Sequence, residues 1–289
     1  YGDHRDLHYP LRRQRQMCIR DRARAERIAM YANPRILGWY DFWESYQFVG
    51  SEQAVKDCWF SQVAFWIYED VAATIEVMNA GSERVADSSV KRLLGIGFQQ
   101  PILDIPTASP QMMNLLGGIG GMGRQTAAGD QPVYILPGGA SPLVSKPWTG
   151  RVGSEELDVV HFAVSVIVDS RFVQAFLKEL CSTKPHTFRE GFSESGKIQE
   201  AQHNQITILQ CTYSSVDKQS QAHAYYRYGT VAVMRIDLVC EYLFYRKAYD
   251  EIKPEPIKVI LGQSDQVQSA PGMGPGMMPT GRGLLYEEY

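Results

Sequence analysis

The sequence predicts an α+β fold: a two-layer sandwich with two helices on one face of an antiparallel four-stranded sheet. Three observations carry this expectation. Residues Leu157 to Asp169 alternate β-favouring side chains with a period of two. Residues Ser51 to about Asn79 repeat apolar side chains at helical intervals. The elements as a whole fall in the order helix, strand, strand, taken twice.

The lead-in, residues 23–50, reads as helical. Its segment GWYDFWESYQF (38–48) carries Trp39, Tyr40, Phe42, Trp43, Tyr46 and Phe48 at spacings that make an aromatic stripe for packing on a neighbouring helix. Ser51 then suits an N-cap, Glu52 suits the positive end of a helix, and Gly81 suits a stop. Along this helix Trp59, Val63, Trp66, Val71, Ile75 and Met78 approximate one face. Phe60, Phe65 and Ile67 widen it, so the helix is expected to be buried along more than one stripe. Glu69 and Asp70 are neighbours on it, but adjacent helical residues point about 100° apart. Both are therefore expected in solvent instead of sharing acid–base work. Val90 to Phe98, VKRLLGIGF, reads as the first strand.

The composition then changes. Residues 101–150 hold seven Pro and nine Gly but only four charges, so a helix or central strand is excluded there. The stretch 100–155 is expected to be a disordered insertion. Gly118, Gly120 and Gly123 satisfy GxGxxG, the fingerprint of dinucleotide binding. That chemistry needs a strand before the glycines and a helix N-terminus after them to meet the pyrophosphate. MMNLL and RQTAAGDQP supply neither, so the match is read as low-complexity coincidence.

In Leu157–Asp169, Val160, Phe162, Val164, Val166 and Val168 share one face, and His161, Ala163, Ser165, Ile167 and Asp169 the other. Ser170 is expected to cap a helix to about Cys181, striped by Val173, Phe176, Leu177, Leu180 and Cys181 and ended by Pro185. Residues 184–203 are polar and read as irregular. Asn204 to Asp217 and Gly229 to Tyr245 read as strands. In the second of these, Ala232 to Phe244 are apolar at even positions, while Arg235, Asp237 and Glu241 face water or a partner. Ile257 to Leu261 reads as a short last strand, and 263–289 as a disordered tail.

The resulting αββαββ order over 51–262 corresponds to a circularly reordered ferredoxin-like sandwich. At the level of topology it resembles the periplasmic domains of inner-membrane accessory proteins in type IV pilus and type II secretion systems. The segment VVHFAVSVIVDSRFVQAFLKEL (159–180) is similar to their strand–turn–helix unit. The resemblance implies an upstream region of a transmembrane helix and a coiled-coil stretch, of which 23–50 is the remnant, and a location at the periplasmic face of a bacterial inner membrane.

Residues 11–22, LRRQRQMCIRDR, have no apolar period and resemble a translated sequencing-adapter read-through, so 1–22 is set aside as an artefact. The whole chain of 289 residues carries a net charge of −3. Setting aside the six Arg and three Asp of 1–22 makes the remainder more acidic still, which excludes a polybasic nucleic-acid binder. No apolar run reaches the roughly 20 residues that span a bilayer. Cys58, Cys181, Cys211 and Cys240 form no CxxC pair and are too sparse for a disulfide scaffold, so they read as buried thiols.

No motif carries chemistry. His161, His186, His203 and His223 make no HExxH or HxH pair, so neither metal nor cofactor is expected. His161 is expected at a surface or interface. Cys181 with His186 lacks the access a thiolate nucleophile requires. Ser88–Lys91 fits SxxK but enters a strand. Tyr225–Tyr228 reads as an aromatic cluster at a strand entry. No catalytic, cofactor-binding or metal residue is therefore assigned. The expected role is a non-enzymatic structural protein of an envelope machine, acting as a homo- or heterodimer through protein contacts and binding no nucleic acid. The alternative is a cytoplasmic small-molecule-binding or enzymatic domain. Its site would gather Glu190, Glu194, Glu200, His186, His203 and His223 between the 184–203 loop and Tyr225–Tyr228.

Overall fold

The computed structural model describes residues 22–33, 43–44, 46–98, 131–137, 149–189, 197–203 and 206–263. Its ordered elements are α1 (Ser51–Met78), β1 (Val90–Gly97), β2 (Leu157–Asp169), α2 (Val173–Leu180), β3 (Lys184–Arg189), β4 (Ile198–His203), β5 (Ile206–Ser215), β6 (Val233–Tyr245), α3 (Arg246–Tyr249) and α4 (Glu255–Ile260). The fold is α+β. One four-stranded sheet has the order β1-β2-β6-β5 with every neighbour antiparallel, and β3 pairs with β4 in a separate two-stranded sheet.

β2 and β6 are the spine of the sheet. They pair in unbroken register over all 13 residues of each, from Leu157 opposite Tyr245 to Asp169 opposite Val233. One face of this spine presents Val160, Phe162, Val164, Val166 and Val168 beside Ile236, Leu238, Cys240, Tyr242 and Phe244. Trp59, Val63, Ile67, Val71 and Ile75 of α1 and Phe176 and Leu180 of α2 close over the same face. Each such side chain removes apolar surface worth about 1.5–3 kcal/mol from water. This shared layer is the main core, and it puts both helices on one side of the sheet.

The second face is not bare. At one end Ile135, Val152 and Val133 pack on Val159 and Leu243. At the other, Ala25, Tyr31, Val85 and Tyr228 pack on Ile167 and Val233. The first group comes from within the stretch expected to be disordered. Residue Tyr134 bridges Val160, and the Ile135 N–H donates to the Val159 carbonyl at 2.8 Å. Gly153 N–H in turn donates to the Ile135 carbonyl at 2.7 Å, so 131–137 and 149–153 lie against the sheet. The short apolar run VYIL in a Gly/Pro-rich context accounts for this: four side chains suffice to bury a segment already delivered to the sheet. The GxGxxG glycines lie outside the described residues, as do 38–42 of the aromatic lead-in and residues 1–21.

Several local expectations are corrected. Ser51 is the first helical residue and Gly50 the N-cap, with no side-chain bond to the helix end. Gly81, at φ +77°, supplies the left-handed turn after the helix. Asp169, not Ser170, caps the second helix: its carboxylate accepts from the Arg171 N–H at 3.0 Å, and Ser170–Phe172 form a 3₁₀ turn before α2. Residues 184–203 contain the β3–β4 pair instead of irregular chain. Glu255–Ile260 is helical where Ile257–Leu261 read as a strand; Pro256 in the first turn favours helix initiation over a ladder position. Cys58 is exposed, Cys181 and Cys211 are half-buried, and only Cys240 is fully enclosed.

Candidate functional site

The residues grouped for the alternative, small-molecule reading do not form a described cluster. Glu190 and Glu194 lie outside the described residues, as do the side chains of His186 and His203. Glu200 is exposed on β4, opposite Thr187. His223 is half-buried, and its Nδ1 is 3.0 Å from the Tyr228 hydroxyl. Burial first, then the Arg92 and Arg235 charges, lower its pKa below the ordinary imidazole value. Tyr225–Tyr228 is loop, not strand entry. Tyr226 stacks on Tyr228 and meets Tyr31 edge-on, with the Arg92 guanidinium 3.6 Å from the Tyr226 ring centre. These rings attach residues 22–31 to the sheet. Beside them opens a depression of about 700 Å³ that includes Tyr226, Arg227, Lys218 and Arg84.

Two acids read as solvated or surface-facing, Asp70 and Glu241, are buried instead, and so is Asp158. Asp70 is 5% exposed and accepts from the Tyr242 hydroxyl at 2.6 Å, whose pKa burial and this carboxylate push well up. Asp158, at the start of β2, accepts from Lys253 Nζ at 2.7 Å, from Gln263 Nε2 at 2.9 Å and from the Tyr249 hydroxyl. Burial and the carboxylate both raise the Tyr249 pKa. Next to it Trp59 Nε1 donates to the Tyr134 hydroxyl at 3.0 Å, and the Trp59 and Tyr249 rings stack. This network joins α1, the insertion, β2 and the C-terminal helices.

The third acid is Glu241, on the second face of β6 opposite His161. It is fully enclosed, and Thr149 Oγ1 and Arg151 Nη1 donate to it at 2.9 and 2.5 Å. Burial opposes its ionisation, but His161, Thr149 and Arg151 outweigh that, so its pKa lies below the ordinary glutamate value. His161 is 2% exposed, which corrects its expected surface position. Its Nε2 lies 3.7 Å from Glu241 Oε2, and neither ring nitrogen has a hydrogen-bond partner. A carboxylate beside an imidazole is half of a general-base arrangement. Here the carboxylate is committed to Arg151 and Thr149, and the pair acts as an anchor for 149–153. Further along the same face Ser165 Oγ donates to Asp237, which Arg235 also holds at 2.8 Å. Among the described residues no group of three or more His, Cys, Asp or Glu is arranged to hold a metal ion.

The sheet edges differ. On β1, Tyr31 covers the edge: its N–H donates to the Lys91 carbonyl at 3.0 Å and its carbonyl accepts from the Leu93 N–H at 2.9 Å. On β5, the bulge between Ile208 and Gln210 interrupts pairing with β6, and the Ile208 backbone is hydrogen-bonded to Cys181. Beyond it Gln210–Ser215 has no further strand beside it among the described residues. Edge strands are ordinarily protected by charge or proline. The ten residues of β5, ITILQCTYSS, contain neither, whereas β1, β2 and β6 all carry charged residues. Tyr213 on this edge is 44% exposed. Sequence reading found the strand but not its place at the edge, because strand order depends on pairing partners far apart in the chain.

Compared with known proteins, the chain matches no family model, no curated protein and no solved structure.

Proposed function

We propose that this chain is a non-enzymatic assembly module that works by protein–protein contact. The strand order β1-β2-β6-β5 supports this most directly. It corresponds, on this reading, to a ferredoxin-like sheet whose first strand is moved to the end, the αββαββ arrangement that the resemblance to pilus and secretion accessory domains implies. On this reading the module is part of a type IV pilus or type II secretion-like platform at the periplasmic face of a bacterial inner membrane. The uncharged β5 edge gives it a surface suited to contact by strand addition. No helix of the described residues is long and apolar enough to cross a membrane.

The test is to express the complete reading frame in its own host, with an epitope at the C-terminus, and follow fractionation and protease shielding. The proposal expects inner-membrane fractionation, with digestion only after the outer membrane is opened. A soluble cytoplasmic distribution would overturn it. The depression beside Tyr226 and Arg227 favours the second reading, a cytoplasmic domain binding an anionic small molecule. Calorimetric titration with anionic aromatic probes tests that reading, and Arg227→Ala should abolish any binding there.

A further inference from the structure

We infer that the Gln210–Ser215 edge of β5 pairs antiparallel with the same edge of a second copy of this chain, joining two four-stranded sheets into one of eight strands. This rests on the protein-contact reading and names its partner.

The first argument is electrostatic. In an antiparallel pair related by a two-fold axis, the residue at the axis lies opposite its own counterpart, and its two neighbours lie diagonal to theirs. A charge at any of these three positions then meets a like charge, which is unfavourable. β5 is the one strand of this sheet that has no charge to repel its copy. A partner selected by charge from an acidic protein such as this would instead leave complementary residues on the edge.

The second argument is geometric. Pairing about a two-fold axis keeps side chains on matching faces, so the axis must pass through a residue position. Thr212 lies at the middle of Gln210–Ser214, beyond the bulge, and its Cα faces Asp237 on β6. Centred there, Cys211 of each copy stands opposite Tyr213 of the other. The exposed Tyr213 ring, on the core-facing side with Cys211 and Ile236, then covers the junction. The bulge and Cys181 close the edge at Ile208, so the contact is short. Contacts of this size are weak. A reversible dimer is expected, not an obligate one.

Sedimentation equilibrium across micromolar to millimolar chain should show a monomer–dimer equilibrium. Thr212→Lys and Thr212→Glu should each weaken the dimer at least tenfold, and their equimolar mixture should restore it. Far-UV circular dichroism checks that each variant is folded. If either is not, Tyr213→Lys and Tyr213→Glu, at the exposed position diagonal to its own counterpart, replace them. A wild-type chain that stays monomeric overturns the proposal. So does a mixture that fails to recover. A photocrosslinking p-benzoylphenylalanine at Tyr213, used in cells, separates this failure from failure of the wider reading. An adduct of twice the chain mass mapping within 210–215 supports the proposal. An adduct with a different protein overturns it while sparing the contact reading, and no adduct with any protein overturns both.

Discussion

The Lys253 ammonium lies 2.7 Å from the Asp158 carboxylate, and both side chains are essentially sealed from water. Asp158 opens β2 and Lys253 precedes α4, so the pair ties the C-terminal helices to the central strand. Gln263 bonds to both partners, and Asp250 makes a second ion pair with Lys253 at 2.6 Å.

Breaking this pair should be costly on one side only. Lys253→Met leaves a buried carboxylate without its cation and should lower stability by about 3–5 kcal/mol. Adding Asp158→Asn to it should recover much of that loss, because no unpaired charge then remains. Urea unfolding of the two single variants and the double variant measures the coupling. Additive losses would show that the pair does not act as a unit.

Acid should weaken the fold through Glu241, Asp169 and Asp250. Burial opposes ionisation of Glu241 and Asp250, but the partners of each outweigh it and lower its pKa; Asp169 is lowered chiefly by Arg171. Groups with depressed folded-state values stabilise the fold above the unfolded carboxylate range, roughly pH 4. That contribution is lost as pH falls through the lower, folded values. Unfolding free energy should therefore be flat near neutrality and fall steeply in acid. Glu241→Gln should make the acid slope shallower, and an unchanged slope would remove Glu241 from this account.

The insertion should detach when Trp59 loses its hydrogen bond. Trp59→Phe keeps the ring stacked on Tyr249 but leaves the Tyr134 hydroxyl without this donor. A loss of about 1–3 kcal/mol is expected. Amide exchange at Ile135 should accelerate far more than exchange in the middle of β2.

Gly229 has φ +82°, and a Cβ there would meet Ala86 Cα at 3.3 Å. Gly229→Ala should cost about 1–3 kcal/mol from the backbone conformation alone, with crowding added. Thermal unfolding reads this directly, and Gly95→Ala is the control, since nothing lies within 4 Å of its Cβ position.

Thiol reactivity should follow burial. In a Cys18→Ser background, Cys58 should react first with a thiol reagent at neutral pH because it is exposed. Cys181 and Cys211 should lag, since burial raises their pKa values. Cys240, fully enclosed and pushed well up, should label only on global unfolding.

The elements with uniform local chemistry were legible in the sequence. β2 has the predicted bounds Leu157 and Asp169, and α1 ends one residue before its predicted end, because each repeats one period long enough to outweigh local noise. β3 and β4 were not legible: KPHTFR and IQEAQH are polar, and strand pairing of polar residues leaves no apolar period. The buried charges were not legible either. Glu241 looks solvent-facing by alternation, and only Arg151 and Thr149, some ninety residues earlier, explain why it is enclosed. The candidate edge follows the same logic. The absence of charge in β5 is visible in its letters, but its meaning depends on β6 having β2 on its other side.

The bond between Ile135 and Gly153 has a practical consequence for engineering. It closes the intervening chain at its base, so extra residues placed between Ala140 and Lys146 lengthen a ring whose clasp is already fastened. Each doubling of such a ring costs only about 0.6 kcal/mol of closure entropy. A fluorescent protein or affinity handle grafted there would report on the molecule at that small entropic cost.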